Sequence, residues 1–129
     1  MGNRAGTVAE IKSHRDLVAW QRAMDLVVAI YKMAASWPRE ELYGLTSQAR
    51  RSAVSVPANV AEGYGRENLG SYIHFLKVAQ GSLKELETHI EIALRLDLID
   101  QAQCQVRLSE ADSVGRILHK LIRSLEANQ

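Results

Sequence analysis

The side chains best suited to chemistry in this sequence lie between residues 47 and 66. Spacings of three and four residues put six polar side chains on one face of a predicted helix. These side chains belong to Gln48, Ser52, Ser55, Asn59, Glu62 and Arg66. An apolar stripe runs beside them and is formed by Ala49, Ala53, Val56 and Val60. Since the apolar stripe suffices to face a hydrophobic core, we expect the polar face to form hydrogen bonds to something specific.

Arg50 and Arg51 are consecutive within this stretch, and three interpretations of them are open. They can lie on a solvated helix face, form ion pairs at a subunit interface, or contact phosphate, for which the guanidinium group is well shaped. Together with Arg66 they are the candidate nucleic-acid-binding residues. Tyr64 and Tyr72 could stack on unpaired bases, although packing in the core or in an interface is the favoured interpretation.

Pro57 and Asn59 are poorly suited to the interior of an ordinary helix. A proline removes one backbone donor, here leaving the carbonyl of Ala53 free, and bends the helix at a cost of about 3 kcal/mol. Asn59 has low helix propensity, so we expect it to make a tertiary or intersubunit hydrogen bond. The candidate interface positions of this stretch are Ser47, Gln48, Ser52, Ser55, Pro57, Asn59, Glu62 and Gly63.

No motif for catalysis or metal binding accompanies this stretch. Di-metal sites in helical bundles use Glu-x-x-His, and no histidine here follows a glutamate by three residues. Glu85 and His89 are predicted to be a solvated pair on one helix, and Cys104 is predicted to be a surface or rim thiol. The Gly-Tyr-Gly sequence at 63–65 lacks the third glycine of a dinucleotide-binding fingerprint and is interpreted as a helix C-cap. We therefore predict no catalytic residue, metal, cofactor or small-molecule substrate.

Hydrophobic periodicity predicts four helices joined by short connections. The first follows an N-cap at Asp16 and ends before Pro38, and the third follows an N-cap at Asn68. The second ends at the glycines of 63–65. The fold class is therefore all-α, as an antiparallel up-down four-helix bundle. The predicted core stripe of the first helix is Leu17, Trp20, Met24, Val27, Tyr31 and Ala34.

Length and charge limit the class of protein. A chain of 129 residues suggests one domain, which we divide into a flexible tail at 1–13 and a bundle at 14–127. A net charge of +1 is low for a nucleic-acid binder, so any such contact must come from a local patch. The single cysteine excludes an intrachain disulfide. Because no apolar run approaches the ~20 residues of a membrane span and no signal-peptide core is present, we expect a cytoplasmic protein without membrane contact.

Three sequence blocks resemble a known family, the small proteins first noted as reading frames within intervening sequences of bacterial 23S rRNA genes. The blocks are DLVAWQRAMDLVVAIY at 16–31, YGLTSQARRSAVSVPANVAEGYGR at 43–66 and FLKVAQGSLKELETHIEIALRL at 75–96. The resemblance extends from about residue 15 to 125. The sequence departs from the family pattern at Ser71, where an acidic residue is common, and at Leu69 and Gly70, where lysines are frequent.

The resemblance implies an all-α bundle that assembles as a ring-like homopentamer. It also implies relatedness to accessory proteins of diversity-generating retroelements, which are pentameric and bind nucleic acid and a reverse transcriptase. The family has no settled biochemical role and no catalytic residues to transfer. We therefore expect a non-enzymatic homo-oligomer that uses its second helix, with RNA or another nucleic acid as a candidate partner. The alternatives are a structural oligomer whose 47–66 signature is the subunit interface and, least favoured, a metal-dependent enzyme. The transferred signature positions are Ser47, Gln48, Arg50, Arg51, Pro57, Asn59, Glu62, Gly63 and Arg66.

Overall fold

A computed structural model describes residues 10–129, and all regular structure within them is helical. Most of the predicted tail, residues 1–9, lies outside the described residues. Two short 3₁₀ helices occupy His14–Asp16 and Arg39–Glu41. The α-helices are α1 (Val18–Ala34), α2 (Leu45–Tyr64), α3 (Leu69–Arg95) and α4 (Gln101–Glu126). The prediction of an all-α chain with four helices is thus confirmed.

Each helix packs against two others. The contacts join α1 to α2, α2 to α3, α3 to α4 and α4 back to α1, with the most extensive contact between α2 and α3. Along that contact Ser52 meets His89 and Ser55 meets Ser82. Gly63, later in α2, lies against Phe75, which is earlier in α3. Residue numbers therefore rise along α2 while those of its contacts fall along α3.

The hydrophobic core contains the predicted faces of α2 and α3. Ala49, Val56 and Val60 are fully buried on α2. The periodic stripe of α3 is also buried, at Leu76, Ala79, Leu83, Leu86, Ile90 and Ala93. Each large aliphatic side chain buried in this way contributes about 1.5–3 kcal/mol. Periodicity therefore identified the inner faces of these two helices correctly.

The predicted core stripe of α1 is only partly correct, since Leu17 and Ala34 are buried and Trp20 and Val27 pack against the core, whereas its other two members are exposed. Met24 and Tyr31 are 39% and 42% exposed. The buried residues of α1 are Ala19, Ala23, Leu26, Ile30 and Ala34. Both sets have helical spacing, because α1 is apolar on more than one side. Periodicity alone does not say which apolar edge contacts the rest of the bundle.

The N-terminal caps are only partly as predicted. Asn68 caps α3, since its side chain accepts a hydrogen bond from the backbone N–H of Ser71. Asp16 does not cap α1. It forms a reciprocal capping box with Ser13 at the preceding 3₁₀ helix, and its carboxylate accepts from the N–H groups of Lys12 and Ser13 at 2.8 and 3.1 Å. These bonds favour the ionised form and lower the pKa of Asp16.

The glycines at the end of α2 act differently from the predicted left-handed cap. Gly65 ends the helix with a right-handed φ of −77°. Gly63 lies within the helix and is buried against α3. A Cβ atom at residue 63 would lie 2.9 Å from Cβ of Phe75 and 3.0 Å from the carbonyl oxygen of Tyr72. Gly63 is therefore needed for the close approach of two helices.

Cys104 is a core residue, contrary to the predicted surface or rim thiol. Its side chain is buried on α4. The spacing of Cys104, Ala111 and Leu118 puts all three on one helix face. Burial raises the pKa of the Cys104 thiol, so the thiol stays protonated and unreactive.

Across residues 10–129, none of the helices combines the length and apolarity that crossing a bilayer requires.

Candidate functional site

A polar cleft separates the outer edges of α2 and α3. Its volume is about 360 Å³. Its lining, which we call the α2–α3 cleft, consists of Gln48, Arg51, Ser52, Ser55, Ser82, Glu85 and His89. Gln48, Ser52 and Ser55 belong to the polar face predicted from the sequence, whereas Arg51 was predicted separately, as a candidate nucleic-acid-binding residue. Sequence reasoning missed Ser82, because its only signal was a serine beside the apolar stripe of α3.

His89 joins the two helices through Ser52. The Oγ of Ser52 is 3.1 Å from Nδ1 of His89 and 3.1 Å from the carbonyl oxygen of Ala49. His89 is half-buried, and this burial lowers its pKa while the neighbouring carboxylate of Glu85 opposes the shift. The predicted solvated Glu85–His89 pair is therefore wrong for His89, which bonds across the helix interface.

A second set of hydrogen bonds lies further along the cleft. The hydroxyl oxygens of Ser55 and Ser82 are 2.7 Å apart. Nδ2 of Asn59 donates to the carbonyl oxygen of Ser55 at 2.8 Å and to its Oγ at 2.9 Å. Among residues 10–129 the amide nitrogen of Asn59 therefore bonds within its own helix, one turn earlier, in place of the predicted tertiary bond, and the intersubunit alternative stays a prediction. Ser55 then carries the connection to α3.

The candidate nucleic-acid-binding arginines do not form one patch. Arg51 is exposed at the α2–α3 cleft, and no ion pair or hydrogen bond of its side chain is formed within residues 10–129. Arg50 lies over the Tyr31 ring of α1, with 4.8 Å from its guanidinium carbon to the ring centroid. Consecutive residues are about 100° apart around a helix, so Arg50 and Arg51 face different neighbours.

Arg66 is occupied at the far end of α2. Its guanidinium donates to the carboxylate of Glu62 at 3.0 Å and lies 4.6 Å from the centroid of the Phe75 ring. Roughly 20 Å of helix separates it from Arg51. The two residues are therefore too far apart to contact one phosphate group together.

The aromatic pair at the α2–α3 turn favours the packing interpretation. The rings of Tyr64 and Tyr72 meet edge to face, with 6.0 Å between centroids, and both are half-buried. Burial raises the pKa of Tyr72 to about 12. Each ring thus contacts the other across the helix interface.

The side of α2 that faces α1 combines exposed apolar groups with an incompletely bonded arginine. We call this surface the α1–α2 face and define it by Met24, Tyr31, Arg50 and Val54. Nε of Arg50 is buried and has no hydrogen-bond partner among residues 10–129. Val54 is 41% exposed one helical turn after Arg50. A buried polar atom without a partner is unfavourable by about 1–3 kcal/mol, so this face is energetically incomplete.

Two further signature positions lie on opposite sides of α2, one near the α1–α2 face and one in the α2–α3 cleft. Ser47 is half-buried and stands one turn before Arg50, whereas Gln48 is exposed in the α2–α3 cleft. Pro57 is buried within α2. No group of three or more His, Cys, Asp or Glu side chains within the described part of the chain is placed to hold a metal ion.

Comparison with known proteins connects this fold to a family. A search of curated proteins gave no match. A crystal structure from Bacteroides thetaiotaomicron, described as a protein with unknown function from the S23 ribosomal protein family, has a similar fold with a TM-score of 0.73. It is 21% identical in sequence, and the match covers 81% of this chain and 98% of that chain. A family match covers residues 15–120, and the chain belongs to the 23S rRNA-intervening sequence protein family.

Proposed function

We propose that this protein is a non-enzymatic homo-oligomer, in which antiparallel up-down bundles associate through the α1–α2 face. The observation that carries the proposal is the buried, unpartnered Nε of Arg50 among exposed apolar groups. The opposed order of the contacts along α2 and α3 supports the antiparallel arrangement. A pentamer is the subunit number implied by the family resemblance.

The composition of the α1–α2 face suits a subunit interface. Burial of Met24, Tyr31 and Val54 against another copy would remove apolar surface from water. A carbonyl or carboxylate of that copy would accept from Arg50. In a closed ring each interface joins two different surfaces, so the acceptor belongs to another part of the neighbouring subunit. Specific interfaces bury roughly 800 Å² per partner, which requires more residues than the four that define the face.

The signature of α2 then has two roles. Ser52, Ser55 and Gly63 serve packing against α3 within one chain, as their contacts describe. Ser47 and Arg50 serve association. The alternative hypothesis assigned the whole 47–66 stretch to the subunit interface. In the present proposal only part of this stretch lies in the interface.

A pair of valine substitutions tests the association. Val54 is 41% exposed on the α1–α2 face, and Val106 is 48% exposed on α4. We expect Val54→Glu to reduce the mass measured by light scattering to that of the monomer, with unchanged helicity by circular dichroism. The control variant Val106→Glu should keep the mass of the wild type. A monomeric wild type, or an oligomeric Val54→Glu variant, would overturn the proposal.

Nucleic-acid binding is a second candidate function, favoured by the side chain of Arg51, which is exposed and has no ion-pair partner among residues 10–129. A ring would repeat this side chain once per subunit, which increases avidity without a new contact. Arg50 and Arg66 are already engaged by Tyr31 and Glu62, so we assign the larger role to Arg51. A cytoplasmic location, proposed from the single cysteine, agrees with such a partner.

Fluorescence polarisation with a single-stranded RNA tests this second candidate. The affinity should fall steeply with salt, because binding releases counterions from the RNA. Arg51→Glu should weaken binding more than Arg50→Glu does. If Arg51→Glu binds RNA as tightly as the wild type while remaining folded, Arg51 is not part of an RNA site.

A further inference from the structure

We propose that the α2–α3 cleft binds a phosphate group, with Arg51 and Ser82 as donors and His89 beside them. The proposal goes beyond self-association and does not depend on it. Two sources of the group share this chemistry: a free phosphate ester and the phosphodiester of an RNA. For the RNA source alone, the inference rests on the nucleic-acid function proposed above.

A count of hydroxyl hydrogens leaves one donor unused in the cleft. Ser55 and Ser82 have two hydroxyl hydrogens between them, and their mutual bond at 2.7 Å uses one. Asn59 donates to Ser55 and therefore consumes none of them. No second acceptor for the pair lies within the described residues. Since Ser55 already accepts from Asn59, we take Ser55 as the donor in the mutual bond, and Ser82, which is only 6% exposed, then retains the free O–H.

Arg51 provides the charge that a phosphate requires. Its guanidinium is unpaired within residues 10–129 and lies on the same cleft as the serine pair. Arginine binds phosphate through two parallel N–H bonds. A phosphate group has several acceptor oxygens, so Ser82 can donate to an oxygen that Arg51 does not use.

The side chains on α3 set the electrostatics of the cleft. His89 has no partner for Nε2 in the described part of the chain, and this nitrogen becomes a donor when the ring is protonated. Glu85 is the one carboxylate that lines the cleft. Its negative charge repels an anionic ligand, so the proposal predicts opposite changes in affinity for substitutions of Glu85 and Arg51. Removal of the Glu85 charge should strengthen binding, whereas removal of the Arg51 charge should weaken it.

The volume of the cleft is consistent with a small ligand. About 360 Å³ lies at the lower end of the range for small-molecule sites, roughly 300–1,000 Å³. A helix interface that served packing alone could use alanine or valine at residues 52, 55 and 82. Ser52, Ser55 and Ser82 bond across the helix interface, so what favours a ligand is the unused hydroxyl hydrogen together with the guanidinium of Arg51 at the same cleft.

A titration followed by NMR tests the inference on the full-length protein. Sodium phosphate, uridine 5′-monophosphate and uridine are added separately, and a short single-stranded RNA forms a further arm. We expect saturable shifts at Ser52, Ser82 and His89 with the first two ligands and none with uridine. The pKa of His89, read from its ring protons, should rise in the bound state because the phosphate stabilises the imidazolium.

Matched variants distinguish specific binding in the cleft from nonspecific attraction of an anion to positive charge. Arg51→Gln and Ser82→Ala should each weaken binding about tenfold, the loss expected for one hydrogen bond to a charged group. Glu85→Gln should tighten binding. Arg22→Gln, which removes an exposed arginine on α1, should leave the affinity unchanged.

Each outcome of this experiment decides the proposal. The proposal is overturned if uridine causes the same shifts as the phosphate ligands, or if no ligand saturates. It is also overturned if Arg51→Gln and Arg22→Gln have equal effects, or if Glu85→Gln binds more weakly than the wild type. If RNA alone saturates, a loss of affinity in Arg51→Gln supports the polymer as the source, and an unchanged affinity overturns the cleft. Light scattering on the same samples reports self-association separately, so the failure of one proposal is visible without the other.

Discussion

The two sides of α2 treat polar groups in opposite ways. Toward α3, Ser52 and Ser55 bond to His89 and Ser82 within the same chain. Toward α1, Nε of Arg50 is buried without a partner in the described part of the chain, beside the exposed Tyr31 ring. The comparison indicates that a polar row on a helix need not mark an external contact. The contacts proposed above rest instead on donors without a partner among residues 10–129, Nε of Arg50 on the α1 side and the guanidinium of Arg51 on the α3 side.

The largest expected effect comes from the close approach on the α3 side. Gly63→Val places a branched side chain where even a Cβ would lie 2.9 Å from Cβ of Phe75. Overpacking of this kind is destabilising by about 1–3 kcal/mol. Urea denaturation at fixed protein concentration should detect it as a lower midpoint. Gly81→Val is the control, since nothing lies within 4 Å of a Cβ at that position; an equal loss in both variants would contradict the packing argument.

The next effect comes from the serine pair. Ser82→Ala removes one partner of a part-buried bond and should lower the free energy of unfolding by about 1–2 kcal/mol. The double variant Ser55→Ala/Ser82→Ala should lose less than the sum of the single changes, because the two hydroxyls interact. Strict additivity in the double-mutant cycle would mean that the pair does not join α2 to α3.

The α1 side should respond weakly in stability and strongly in association. Arg50→Met removes a cation–π contact of about 0.5–1 kcal/mol, but it also removes the unpartnered buried nitrogen. We therefore expect the unfolding free energy of the dissociated chain to change by less than about 1 kcal/mol. The mass of the oligomer should fall in sedimentation. A large loss of stability with an unchanged mass would mean that Arg50 serves packing within the chain and not association between chains.

The smallest effect is a pH dependence from His89. Burial lowers its pKa in the folded chain below the ordinary value of 6.5, so the unfolded chain takes up the proton first as pH falls. Stability should therefore decrease as pH falls below about 6.5 toward the lower pKa of the folded state. The wild type should lose more stability between pH 7.5 and 5 than His89→Gln. Asp16, whose pKa is also lowered, titrates below this window.

The candidate site was partly predictable from the sequence. Spacing placed Ser52, Ser55 and Asn59 on one helical face, and the cleft confirms that Ser52 and Ser55 share a surface. Ser82 and the bond of His89 were not predictable, because they depend on which residues of α3 lie opposite α2. Register between two helices is a property of the packed pair and leaves no pattern in either helix alone.

Gly63 and Cys104 illustrate the same limit. A glycine near a helix end is typically a cap, and a lone cysteine has no pattern that marks it as buried. The reason for Gly63 is that Cβ of Phe75 and the carbonyl oxygen of Tyr72, both on α3, would lie only 2.9 and 3.0 Å from a Cβ atom at this position. The reason for Cys104 is its position on the inner face of α4. Both reasons are contacts with residues distant in the sequence.

By itself the sequence determined that the chain forms four helices and that α2 and α3 have defined inner faces. Hydrophobic periodicity is local, so it is readable without the fold, as is the cap that Asn68 forms at α3. The tertiary structure alone decided the rotation of α1, the partners of the polar row, and the separation of Arg50 from Arg51. These depend on how much apolar area each rotation buries against all neighbours at once. That sum exists only when the helices are packed together.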